Sequence, residues 1–154
     1  MHGIDTHSQA NVARMEHQIL DHVKQALRVT LSWKVPSAGL SRKVSSVRFT
    51  FQSFQRHIER LMDLEEQDGY MRAVAETKPN MFSRVERLER DHENFRNALH
   101  VLQPEVESVS EYQIVEFEEV CGDILALLEK IDQHDLEEIE LLQETMLMDE
   151  GGEG

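Results

Sequence analysis

The sequence predicts an all-α fold: an antiparallel, up-and-down bundle of four long helices. Three observations lead there. Four long stretches repeat apolar residues at helical spacing, and breaks containing proline or glycine separate them. No stretch alternates apolar and polar residues as a half-buried strand would, and no hairpin signal competes. Leu, Glu, Gln, Arg and Ala are plentiful, and all favour helix.

The first segment runs from about Gln9 to Trp33, with Val12, Ile19, Leu20, Val23, Ala26, Leu27 and Leu31 as its stripe. The run Pro36-Ser37-Ala38-Gly39 reads as a loop. A second segment, Ser41 to about Gly69, carries Val44, Val47, Phe51, Phe54, Ile58, Leu61, Met62 and Leu64. Gly69 is a natural stop or bend, and the short apolar stretch Tyr70 to Ala75 adds a turn of helix. The third segment starts at Pro79-Asn80, where proline suits a first turn, and is expected to end before Pro104. Ser108 to Glu111 reads as a capping box for the fourth segment, which continues to about Met148. Residues 1–148 are thus expected to form one domain, and 149–154 a loose acidic, glycine-rich tail.

Composition narrows the classes of function. With 154 residues, 40% of them hydrophobic, the chain is long enough to bury a core. Its net charge of −14 would repel a phosphate backbone or an acidic membrane surface, so neither nucleic acid nor membrane is an expected partner. The single cysteine, Cys121, cannot form an intramolecular disulfide and sits among Val120, Ile124 and Leu125, which suits a reducing cytoplasm. No signal-peptide core and no membrane-length apolar run is read along the chain.

Polar residues interrupt the apolar faces. His17 shares a stripe with Ala13, Leu20, Val23 and Leu27; His92 lies with Leu88, Phe95 and Leu99; His134 lies near Ile131 and Leu141. Glu138 is one turn after His134, and Glu65 one turn after Leu61. A buried imidazole needs partners for both ring nitrogens, and a buried carboxylate needs an offsetting charge. One such histidine is usually satisfied by a neighbouring side chain. Three histidines on three helices, with two carboxylates, make a nitrogen-and-oxygen cage suited to iron, manganese or zinc. Other chemistry is absent from the pattern: no glycine-rich phosphate loop and no His-Glu-x-x-His pair. Cys121 has no basic residue within a turn to activate it. Only Glu89-Arg90-Asp91-His92 matches the Glu-x-x-His motif of ferritin-like sites, which use two.

Four motifs resemble the hemerythrin-like, histidine-histidine-glutamate cation-binding domains. They are Glu16-His17 through Leu27, Leu61 through Met71 with Glu65 and Glu66, Val85 through His92, and His134 through Glu144 with Glu138. Their order spans nearly the whole chain. The resemblance implies a non-haem iron pair in the bundle core, with His17, His92 and His134 as terminal ligands and Glu65 and Glu138 as bridges. It also implies dioxygen or another small oxidant as the exogenous partner. One position departs: Leu61 stands where a histidine is expected four residues before Glu65. His57, a turn earlier, and His22 on the first helix are the alternatives to weigh.

Three functions follow as expectations. One is a non-haem iron protein that binds or senses oxygen, redox state or iron. A second is a bundle with a degraded or vacant site that serves as an interaction or structural module, which Leu61 favours. The third is an enzyme at the iron pair, for which no general acid or substrate site can be named.

Overall fold

A computed structural model describes residues 6–151 of the chain, with side chains over residues 11–146. Five α-helices account for nearly all of it: α1 (Thr6–Leu31), α2 (Leu40–Asp68), α3 (Tyr70–Thr77), α4 (Phe82–Ser108) and α5 (Ile114–Gly151). Single 3-10 turns, Ser37–Gly39 and Pro79–Met81, lead into α2 and α4. There is no strand among the described residues. None of the helices is long and apolar enough to cross a membrane.

The elements form where periodicity places them, with instructive exceptions. Gly69 ends α2 at φ +71°, a left-handed conformation that glycine adopts without the Cβ penalty. The chain therefore breaks direction and restarts at once as α3. Beyond Pro104 the expected stop does not occur, and α4 continues to Ser108. Proline removes one backbone donor, but the next turn is held from outside. Val106 and Val109 are buried, and Arg48 of α2 donates through Nε to Val106 O (3.1 Å) and through Nη2 to Val109 O (2.9 Å). The expected capping box at Ser108 does not form, and a turn over Ser110 to Gln113 precedes α5 instead. Ser110 Oγ accepts from Tyr112 N (3.3 Å), and Gln113 Oε1 accepts from Ser110 N (3.0 Å), which leaves Ser108 inside α4. At its far end α5 continues through Gly151, past Met148, while residues 152–154 of the expected tail lie outside the described residues.

Helix α1 lies mainly against α2, and α4 mainly against α5; α2 also packs on α4, and α3 on α4. The face that α1 buries is Glu16, Leu20, Lys24, Leu27 and Leu31. Val12, Ile19 and Ala26, expected on that stripe, are exposed, as is Leu136 on α5. Two polar residues take part of the interior face of α1, because that face meets charged partners on α2 and α5 as well as apolar ones.

The apolar interior is divided. A large cluster runs from Leu27 and Phe51 through Phe95 and Leu99 to Ile124 and Ile131. A smaller one gathers Ala75, Met81, Val85, Leu88 and Leu141. Helices α4 and α5 pass from one to the other across a polar step, Phe95 to His92 to Leu88 and Ile131 to His134 to Glu138 to Leu141, while α2 leaves the larger cluster at Leu61 and Met62 for Glu65. Burying one Leu or Phe is worth about 1.5–3 kcal/mol, so the two blocks hold the polar layer between them.

Gly69→Ala should cost about 1 kcal/mol of stability in urea unfolding, entirely from the left-handed backbone. A Cβ there would meet nothing within 4 Å, so a loss of several kcal/mol would contradict the assignment.

Candidate metal centre

The polar layer brings all five sequence-predicted residues together as two overlapping groups. His92, His134 and Glu138 present donor atoms within 4.8 Å of one another, and so do His17, Glu65 and Glu138. Glu138 is common to both. Glu65 spans them as well: its Oε2 lies 3.4 Å from His17 Nε2, and its Oε1 lies 3.7 Å from His92 Nε2.

The histidine rings are oriented from behind. His92 Nδ1 donates to Glu66 Oε2 (2.9 Å), and that carboxylate is held in turn by Arg96 (2.7 Å). His134 Nδ1 donates to Asp91 Oδ2 (2.8 Å). An ionised carboxylate only accepts, so the proton of each pair sits on Nδ1 and Nε2 is the nitrogen left facing the layer. The two rings stand 5.1 Å apart, and Phe95 meets His134 edge-on at 5.3 Å. His134 Nε2 is buried with no hydrogen-bond partner among the described residues. Glu138 Oε2 is 3.4 Å away, near enough to attract its charge but outside hydrogen-bond geometry. A buried nitrogen 3.4 Å from a carboxylate oxygen is an arrangement that a proton or a cation between them would satisfy.

Titration behaviour follows from this packing. Burial would push the His134 ring down, but Glu138 and Asp91 outweigh it and hold the ring up at about 9. Glu65 beside His17 raises that ring too, against burial and with help from Asp135 and Glu138. Burial pushes the Glu65 carboxyl up, and the nearby Glu138 charge adds to it while His17 opposes. Glu138 moves the other way: burial is overcome by His134 first and by Tyr70 and Glu65 after it. Two carboxylates sharing a buried space thus divide the charge unequally.

Several participants are not visible in the sequence pattern. Tyr70 Oη donates to Glu65 Oε2 at 3.2 Å. Its phenol is pushed far up, by burial first and then by the charges of Glu65 and Glu138. Asp91 and Glu66 stand beside ligand candidates in the chain yet serve histidines on other helices, a relation that same-helix spacing does not encode. Asp135 borders the site and pairs with Lys24 (3.3 Å), which also reaches Asp132 (3.0 Å). The two alternative histidines stand elsewhere. His57 Nδ1 pairs with the buried Glu16 at 2.6 Å, and exposed His22 donates to Gln18 O at 2.8 Å. Leu61 is buried in the larger apolar cluster. Cys121 is buried too, and burial raises its thiol.

A cavity of about 610 Å³ opens on the His17 side, lined by His17, Glu65, Glu138, Tyr70, Asp135 and Arg14 among others. A second, between α4 and α5, reaches His134 and Asp91.

No protein-family model, no curated protein and no solved structure matches the chain.

The raised His134 ring makes a signed prediction for metal-free protein. A ring whose folded value lies near 9 and whose unfolded value lies near 6.5 stabilises fully below the latter. That contribution, on the order of 1–3 kcal/mol, should fade as pH rises through about 9, with His17 acting in the same direction. Urea unfolding of chelator-treated protein across this range measures it. The slope should flatten in His134→Gln; a wild-type stability that is constant or rises would refute the charge assignment.

Proposed function

We propose that this chain is a hemerythrin-like metal-binding protein that holds a non-haem iron pair in its polar layer. On this reading α1, α2, α4 and α5 are the four helices of an antiparallel up-and-down bundle, and α3 is a short interruption after Gly69. The observation that carries it is the pair of three-donor groups sharing Glu138, with Glu65 turning one oxygen toward each group. A carboxylate so placed could help to hold an ion on either side. Two histidines and one carboxylate, the set His92, His134 and Glu138, favour ferrous iron over calcium or magnesium.

When bound, an iron pair supplies a redox couple and an open coordination position for dioxygen or another small oxidant. The chain's own residues do the remaining work. Asp91 and Glu66 fix the Nδ1 side of the two rings, so that their Nε2 atoms face inward. Arg96 anchors Glu66, and Tyr70 anchors Glu65. The blocks around Leu61 and Leu88 exclude water from two sides, while the cavity beside His17 admits a small molecule. The acidic charge and single cysteine support a cytoplasmic setting.

Leu61 favours a second reading, in which the layer holds no metal and its ion pairs serve only to specify packing in an interaction module.

Elemental analysis separates the two. Protein purified without chelator, or loaded anaerobically with ferrous salt, should hold two irons per chain and melt at a higher temperature than the metal-free form. Glu138→Gln should weaken both ions and His17→Ala only one. Asp91→Asn, which removes an orienting partner, should weaken binding about 10–100-fold. No stoichiometric iron and an unchanged melt would leave the second reading standing.

Leu61→His gives an independent check on helix register. It should tighten iron binding while costing the metal-free protein on the order of 2–4 kcal/mol, because it puts an imidazole into the apolar cluster. Weaker binding would mean that Leu61 does not face the site.

A further inference from the structure

The two groups are unequal. One has two histidines, His92 and His134; the other has His17 alone, because Leu61 brings no donor from α2. Yet the His17 side has an oxygen donor that the ligand motif does not contain. The left-handed bend at Gly69 separates α3 from α2, and the first residue beyond it is Tyr70. Its Oη lies 3.2 Å from Glu65 Oε2, the same oxygen that lies 3.4 Å from His17 Nε2. Tyr70, His17, Glu65 and Glu138 also line one cavity, so all four face a common space. A phenol within hydrogen-bond distance of a ligand oxygen becomes a ligand itself with a small movement. A phenolate is a hard, anionic oxygen donor, matched to ferric iron. The charge of a bound ion would offset the burial and the two carboxylates that keep the free phenol protonated.

We propose that Tyr70 is a protein ligand of the His17-side ion, binding as a phenolate and adding an oxygen donor to the group that has a single histidine. This rests on the metal-centre reading above. On binding, the Oη–H bond breaks, the oxygen lone pair forms the bond to the ion, and the proton leaves to water in the cavity. No electron is transferred in that step. The consequence is selective: an anionic oxygen stabilises the ferric state at the His17 side and leaves the His92 and His134 side unaltered. The proposed centre is therefore asymmetric in redox preference as well as in access.

The test uses full-length protein loaded with ferrous salt and oxidised with ferricyanide. Ferric phenolate has a visible charge-transfer band, and excitation into it enhances tyrosinate ring vibrations in the resonance Raman spectrum. The chain has two tyrosines, and Tyr112 is 86% exposed, which makes it an internal control. The wild type and Tyr112→Phe should both show the band. Tyr70→Phe should lose it while keeping the helical circular dichroism and the iron bound by His92 and His134. Growth on ring-deuterated tyrosine should shift the enhanced vibrations in the wild type, a readout that needs no variant. Iron bound without the band, or a band that survives Tyr70→Phe, would overturn the Tyr70 proposal and leave the metal centre intact. Failure of the wild type to bind iron would overturn both.

Discussion

Charge balance inside one buried layer governs this molecule. Glu138 and His134 are almost completely buried, and Glu65 and His92 nearly so. Removing a carboxylate from water costs several kcal/mol unless something offsets its charge. In the protein alone, protons on His134 and His17 provide that offset, and for this reason both rings are held above their ordinary value. Apolar helices can slide past one another by a turn at modest cost. Here a slide would carry Glu65 away from His17 and His92, and Asp91 away from His134. The layer therefore specifies the register of the helices even where it adds little net stability.

The same logic extends along α1, which meets α5 through ion pairs as well as through the apolar cluster. Lys24 is buried between Asp132 and Asp135, and Arg28 also pairs with Asp132. Against α2, Glu16 is buried under His57 and Arg60. These pairs hold α1 in place while the cavity beside His17 stays open. A continuous leucine seam between α1 and α5 would close that space. The polar attachment of α1 and the accessibility of the His17 side are thus one feature of the packing.

Much of the fold is legible in the sequence, because helical spacing determines which residues share a face. The buried residues of α2, Val44 through Met62, are those the period selects. The five residues that meet in the polar layer stand out for a related reason: histidine or glutamate on an otherwise apolar stripe is conspicuous. What spacing does not carry is any relation between helices. Asp91 was readable only as the neighbour of His92, although it orients His134 across the α4–α5 contact. Tyr70 read as part of a short apolar stretch, since nothing local reveals the direction in which Gly69 turns the chain. Pro104 misled for a similar reason. Arg48, more than fifty positions earlier, supplies the hydrogen bonds that carry α4 beyond it.

Leu61 changes meaning once the geometry is known. In sequence it is a missing ligand and argues for decay. In the structure it joins the larger apolar cluster, and the space on the His17 side is bordered instead by Tyr70 and the cavity. Tyr70, just past the end of α2, brings a phenol oxygen to the His17 side of the layer. On the other side, His92 and His134 keep both their inward nitrogens and the carboxylates that orient them. Such partners would orient ligands if an ion is bound, and they fix helix register if none is. Here Asp91 and the Glu66–Arg96 pair are all in place. The proposed centre therefore has its orienting shell on the His92 and His134 side, and its open cavity on the His17 side.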